Sequence, residues 1–136
     1  MAVVKKGGSL IDSRKLARRI AQVAKDKKAQ KVIILDMRKV INFCDYFVIS
    51  SGTSLRQVNA LVEAIQEDLY KERRKPLSRA LSNDESGWMV LDYGDVVAHI
   101  FYEPVREFYA LEHLWSDAKK VQSLKKRASK KRSSIR

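Results

Sequence analysis

Trp88-Met-Val-Leu-Asp-Tyr-Gly-Asp-Val-Val-Ala-His-Ile100 sets two apolar, strand-forming segments on either side of an Asp-Tyr-Gly turn. Read as a hairpin, the run pairs in one of two registers, with Tyr93-Gly94 alone or Asp92-Tyr93-Gly94 as the turn. The three-residue turn is the preferred reading. It asks only Gly94 to take a positive φ, whereas a two-residue primed turn places Tyr93 there as well. That register groups Trp88, Val90, Val96, Ala98 and Ile100 on one face and Met89, Leu91, Val97, His99 and Phe101 on the other. Both faces are apolar, so one is covered by helices and the second is either covered too or left as an interaction surface. Catalysis here would need converging titratable groups or a metal cluster, and the run offers two turn carboxylates and one histidine. Recognition is the reading these residues favour.

Asp12 to Lys27 carries Leu16, Ile20 and Val23 at helical spacing with Arg14, Arg18 and Lys25 on another face, which predicts an amphipathic helix. Lys31 to Asp36 and Asp45 to Ser50 are β-branched and aromatic runs suited to strands, joined by a short link over Met37 to Asn42. Ser54 stands three residues before Gln57, the spacing of a capping box, and Leu55, Val58, Leu61, Val62, Ile65 and Leu69 continue a second helix. Pro76 stops helical geometry, Leu77 to Leu81 suits a short edge strand, and Ser82 to Gly87 reads as a loop. Glu103-Pro104 opens a last helix whose inward stripe is Val105, Phe108, Leu111 and Trp115. The expected class is therefore α/β, in the order α-β-β-α-β-β-β-α, with helices packed on a mixed sheet.

A chain of 136 residues builds one core of ordinary size. The expected organisation is an N-terminal arm over 1–9, one domain over 10–118 and a Lys/Arg/Ser-rich, flexible tail over 119–136. The net charge of +12 is unevenly spread. Residues 1–28 hold nine basic and two acidic side chains, residues 29–118 hold ten basic and fourteen acidic, and residues 119–136 hold nine basic and none acidic. Such a chain can touch a polyanion with its ends and a basic protein with its body, and a ribonucleoprotein offers both. The single Cys44 allows no intrachain disulfide, reads as a small core residue and suits a reducing compartment. No stretch is long and apolar enough for a transmembrane helix, and residues 1–8 lack the apolar core of a secretory signal.

Ser51-Gly52-Thr53-Ser54 at a strand-to-helix junction has the form of a phosphate cradle, and of the turn that precedes the metal-binding carboxylates in nucleotidyltransferases. The segment that follows is helical and supplies no Asp-x-Asp pair, so capping is the better reading. His99 and His113 are far apart on different elements, no Cys-x-x-Cys or Walker loop occurs, and no metal or cofactor is expected. The basic ends suit phosphate contact without sequence choice, since no RNA-reading aromatic motif accompanies them.

Three blocks, Asp45 to Val58, Trp88 to Ile100 and Arg106-Glu-Phe-Tyr-Ala-Leu-Glu-His-Leu-Trp115, taken in this order and spacing resemble the ribosomal silencing factor family, also called the Iojap family. The resemblance covers about residues 10 to 118. It implies a non-catalytic α/β domain, distantly like a nucleotidyltransferase fold without active carboxylates. It further implies binding to ribosomal protein L-fourteen on the joining face of the large ribosomal subunit, exclusion of the small subunit, and lowered translation when nutrients are scarce, in a bacterial-type cytoplasm or, as the alternative, in an organelle. On this resemblance the partner-binding residues are Trp88 as apolar anchor, Asp92 and Asp95 as acceptors for basic side chains, and Tyr93 and His99 as flanking contacts. Lys119 onward lies outside the resemblance, and its charge suits either auxiliary contact with ribosomal RNA phosphates or a solvated tail, while a second copy of the chain is another candidate for the apolar hairpin face.

Overall fold

The computed structural model describes residues 12–76, 78–81, 86–109 and 118–121. Asp12 accepts a hydrogen bond from the Lys15 amide (2.9 Å) and so caps helix α1, Ser13–Asp26. Strands β1 (Gln30–Asp36) and β2 (Tyr46–Gly52) follow, then helix α2 (Leu55–Tyr70), strands β3 (Ser78–Leu81), β4 (Trp88–Asp92) and β5 (Val96–Tyr102), and helix α3 (Glu103–Tyr109). This is the α/β order expected from periodicity, with one addition. Lys119–Val121, placed by composition at the start of a flexible tail, forms strand β6 antiparallel to β1. Backbone pairing along a free sheet edge does not require the alternation that sequence patterning looks for. The side chain of Phe108, together with Leu77, Leu111, His113, Trp115, most of the 82–87 loop, the arm over 1–9 and the tail from 122, lies outside the described residues.

The sheet runs β3-β4-β5-β2-β1-β6, with β2 and β5 parallel at its centre and the other pairs antiparallel. Every residue of β2 is buried, as suits a central strand covered on both faces. On one face α1 and α2 pack Leu16, Ile20, Leu61, Ile65 and Leu69 against Tyr46, Val48, Leu91, Ala98 and Ile100. Arg19 ties the two helices by reaching Asp68 (2.6 Å) and Glu72 (3.0 Å). On the other face the β1–β2 link folds Met37 and Cys44 over Leu35, Phe47, Ile49, Val97 and Phe101, and Val105 of α3 joins them. Burial pushes the Cys44 thiol up to about 12, so it is a packed and unreactive group.

The hairpin register differs from the one preferred above. Trp88 lies opposite Phe101, Val90 opposite His99 and Asp92 opposite Val97, and the Tyr93 amide donates to the Val96 carbonyl (2.9 Å), so the turn is Gly94-Asp95. Gly94 takes φ +94° at the first central position, where a two-residue turn of the II′ class wants it, and no other turn residue needs a positive φ. The shift puts Trp88, Val90, Asp92, Val97, His99 and Phe101 on one face, away from α1 and α2, with Met89, Leu91, Ala98 and Ile100 beneath those helices.

The Ser51–Ser54 junction is a cap. Ser54 Oγ accepts from the Gln57 amide (3.0 Å), while Gln57 Oε1 accepts from the Thr53 amide (2.7 Å), one residue earlier than in the usual capping box. A Cβ added at Gly52 would lie 3.1 Å from the Val58 amide nitrogen and 3.2 Å from Val58 Cγ2, so this glycine is the contact that lets α2 approach β2. Gly52→Ala is expected to cost about 1 kcal/mol or more of stability, read as a lowered midpoint in thermal unfolding. An unchanged midpoint would show that α2 shifts without cost.

Candidate functional site

Gly87 starts the site. At φ +72° it brings its backbone against α3, where a Cβ would lie 2.9 Å from Val105 Cγ2, and its carbonyl accepts from the Tyr102 amide (2.8 Å). This close approach sets where β4 begins and so where Trp88 emerges. Trp88 is half-buried, its ring stacked on Phe101 at 5.1 Å between centroids, and its Nε1–H donates to His99 Nδ1 (3.2 Å). His99 is buried, with Phe47 meeting its ring edge-on at 4.5 Å. Half-buried Val90 lies opposite His99 on the same face, and Asp92 follows about 13 Å along the strand from Trp88.

At that far end Asp92 Oδ1 accepts from the Gly94 amide (2.8 Å), closing an Asx turn. Asp95 pairs with Arg74 (3.2 Å), which also donates to the Tyr93 carbonyl (3.1 Å), and the Asp95 carbonyl accepts from the Asp45 and Tyr46 amides. Tyr93 is only 3% exposed and packs in the core under α1 and α2, and burial pushes its hydroxyl up to about 12. Of the five residues singled out in the sequence, Trp88 and Asp92 thus share one accessible face, Asp95 sits in the turn, and His99 lies under Trp88. Tyr93 belongs to the opposite, helix-covered side.

Burial alone lowers His99 from 6.5 to about 4, so the folded protein holds it neutral at ordinary pH. The unfolded chain protonates first as pH falls, so this group's contribution to stability is complete above about 6.5 and is lost between there and about 4. Stability of the protein is expected to fall over that window, and urea midpoints of His99→Asn against the parent test it. An equal pH slope in both would remove His99 as the cause.

One residue entered the sequence reading only as the start of the third block, with no role assigned. Arg106, in the first turns of α3, is 3% exposed, and its Nη1 donates to the Lys31 carbonyl (2.6 Å) and Ser51 Oγ (2.7 Å). Lys31 occupies a bulge in β1 at φ +48°, which interrupts the β1–β2 register, and its Nζ reaches Glu103 (3.1 Å). In a basic chain an arginine on a helix reads as surface. Its only visible hint is Glu103-Pro104, which starts the helix near enough to the strand ends for the guanidinium to reach them. Among the described residues no group of three or more His, Cys, Asp and Glu is placed to hold a metal ion, and no helix is long and apolar enough to cross a membrane.

The family model described as "Ribosomal silencing factor during starvation" matches residues 11–136. The chain belongs to that family. The ribosomal silencing factor of Bacillus subtilis is 38% identical over 98 residues, covering 72% of this chain and 82% of the relative. A Mus musculus protein named for mitochondrial assembly of the ribosomal large subunit is 30% identical over 100 residues, covering 71% of this chain and 43% of its own length. A crystal structure of a Chromobacterium violaceum protein superposes with a TM-score of 0.73 at 27% identity, covering 84% of this chain and 93% of that one. The family match extends through β6 and past the point where composition alone set the tail apart.

Proposed function

We propose that this protein silences ribosomes by occupancy: it binds the large ribosomal subunit through ribosomal protein L-fourteen, and its bulk then keeps the small subunit from joining. The observation that carries the reading is a half-buried tryptophan, held by ring stacking, on the same hairpin face as a turn carboxylate. A large aromatic in such a place removes much surface from water at little rotamer cost. A carboxylate on the same face suits the basic surface of a ribosomal protein. Exclusion of one particle by another requires affinity and volume and no bond chemistry. Family membership and the relative named for large-subunit assembly support the same partner. The setting is a reducing compartment in which ribosomes work, the cytoplasm in a bacterial-type cell.

The contact set on this reading is Trp88 and Asp92 with Asp95 at the rim, while His99 supports Trp88 from beneath and Tyr93, buried under the helices, drops out of the set. Sedimenting the protein with isolated large subunits and then adding small subunits tests it. Stoichiometric binding with blocked joining is the expected outcome, and absence of binding overturns the reading. Asp92→Asn keeps the side-chain oxygen that caps Gly94 while removing the charge, so it should slow association at low salt and leave the fold intact. An unchanged rate would assign the attraction to other carboxylates. The same assay in the presence of excess protein reports whether a second copy competes for the hairpin face.

A basic segment over 122–136 adds salt-sensitive phosphate contact in this scheme. If free ribosomal RNA competed fully with large subunits and Trp88 variants bound normally, the basic ends would be the main site and the hairpin would not.

A further inference from the structure

Resting on the reading in which Trp88 anchors the partner, the structure assigns His99 a role of its own: a positioning residue that holds the Trp88 indole in its docking orientation without touching the partner. Stacking on Phe101 at 5.1 Å and 23° fixes the plane of the indole. It does not fix which edge of the ring points inward. The hydrogen bond from Trp88 Nε1–H to His99 Nδ1 does that, because it ties the pyrrole edge to a buried, immobile acceptor. At 7% exposure, and packed against Phe47, the imidazole has almost no surface to offer a partner.

To accept from the indole, His99 must be neutral with its proton on Nε2. That Nε2 is buried and has no hydrogen-bond partner among the described residues. A buried donor left unmade costs stability, and an apolar ring of similar shape would avoid the cost. Packing alone therefore does not account for a histidine here. What the imidazole provides that a phenyl ring cannot is the Nδ1 acceptor, and that acceptor is bonded to the side chain at the centre of the candidate interface. A tryptophan already held in its bound orientation loses less side-chain freedom when the partner arrives, which raises affinity without adding a contact.

The test compares His99→Phe, His99→Asn and Trp88→Phe, singly and combined, in the full chain. Three readouts are taken: urea unfolding, affinity for isolated large subunits, and hydrogen exchange of the Trp88 indole N–H by NMR. His99→Phe removes both the acceptor and the unmade donor. It is expected to keep or raise stability, lower affinity about fivefold, and speed indole exchange. His99→Asn, whose amide oxygen lies near the Nδ1 position, should restore slow exchange and most of the affinity. In the Trp88→Phe background, His99→Phe should change affinity no further. If the phenyl variant does not fold, His99→Leu asks the same question with a smaller side chain.

The proposal is overturned if His99→Phe binds as the parent does, if its loss of affinity persists undiminished beside Trp88→Phe, or if indole exchange is unchanged. Failure of the parent protein to bind large subunits would instead sink the functional reading and the docking role with it. The indole-exchange comparison would still decide whether His99 orients Trp88.

Discussion

Trp88→Ala lowers affinity for the large subunit by about thirtyfold or more, corresponding to roughly 2 kcal/mol, if this residue is the anchor of the interface. The size follows from its position. The indole is half-buried in the free protein, so part of its surface remains to be taken from water by a partner. Its stack on Phe101 and its bond to His99 mean that little freedom is left to lose. Truncation removes both advantages and leaves a depression beside Val90 on the docking face. Because Trp88 packs at the edge of the second core cluster, some loss of folding stability accompanies the change, so circular dichroism and unfolding are measured alongside sedimentation. A folded variant with parental affinity would show that the anchor lies elsewhere.

Arg106→Ala is expected to cost about 3 kcal/mol of stability. Two short charge-assisted hydrogen bonds join α3 to the Lys31 carbonyl in β1 and to Ser51 in β2. Removing the guanidinium leaves the buried Ser51 hydroxyl and a bulge carbonyl facing an emptied space. Arg106→Lys is expected to recover only part of the loss, since an ammonium lacks the planar fork that bonds along fixed directions. Urea unfolding of the three proteins decides it. A loss below about 1 kcal/mol for the alanine variant would mean that α3 is held mainly through Val105. Because β4 begins against α3 at Gly87, Arg106→Ala should also weaken large-subunit binding somewhat, with Trp88 itself unaltered.

The two changes act on different layers of the same site, and this separates what was readable in the chain from what was not. The hairpin strands, both long helices and the Ser54 cap follow from local rules. Apolar spacing of three and four, runs of β-branched residues, and a hydroxyl three residues before an amide are properties of neighbouring positions. The register was not readable. Both hairpin faces are apolar, so alternation could not choose between pairings, and Gly94 satisfies a turn whether it comes last or first. Tyr93, read as a turn residue and flanking contact, is buried because the observed register pairs it with Val96 and puts its side chain on the helix-covered face with Leu91. Two lysines hide β6, whose pairing is provided by the free edge of β1.

By itself, then, the sequence determined the α/β class, the bounds of its main elements to within a few residues, and, through three ordered blocks, membership of the family. Tertiary structure decided which side chains share a face: Trp88 beside Asp92, His99 beneath Trp88, Tyr93 in the opposite core, and Arg106 at the joint of α3 with the sheet. The reason is physical. Secondary structure is set by interactions a few residues apart, which a linear pattern records. Face sharing and the pairing of buried polar groups depend on contacts between residues as distant as Arg106 and Lys31, and no local pattern encodes those.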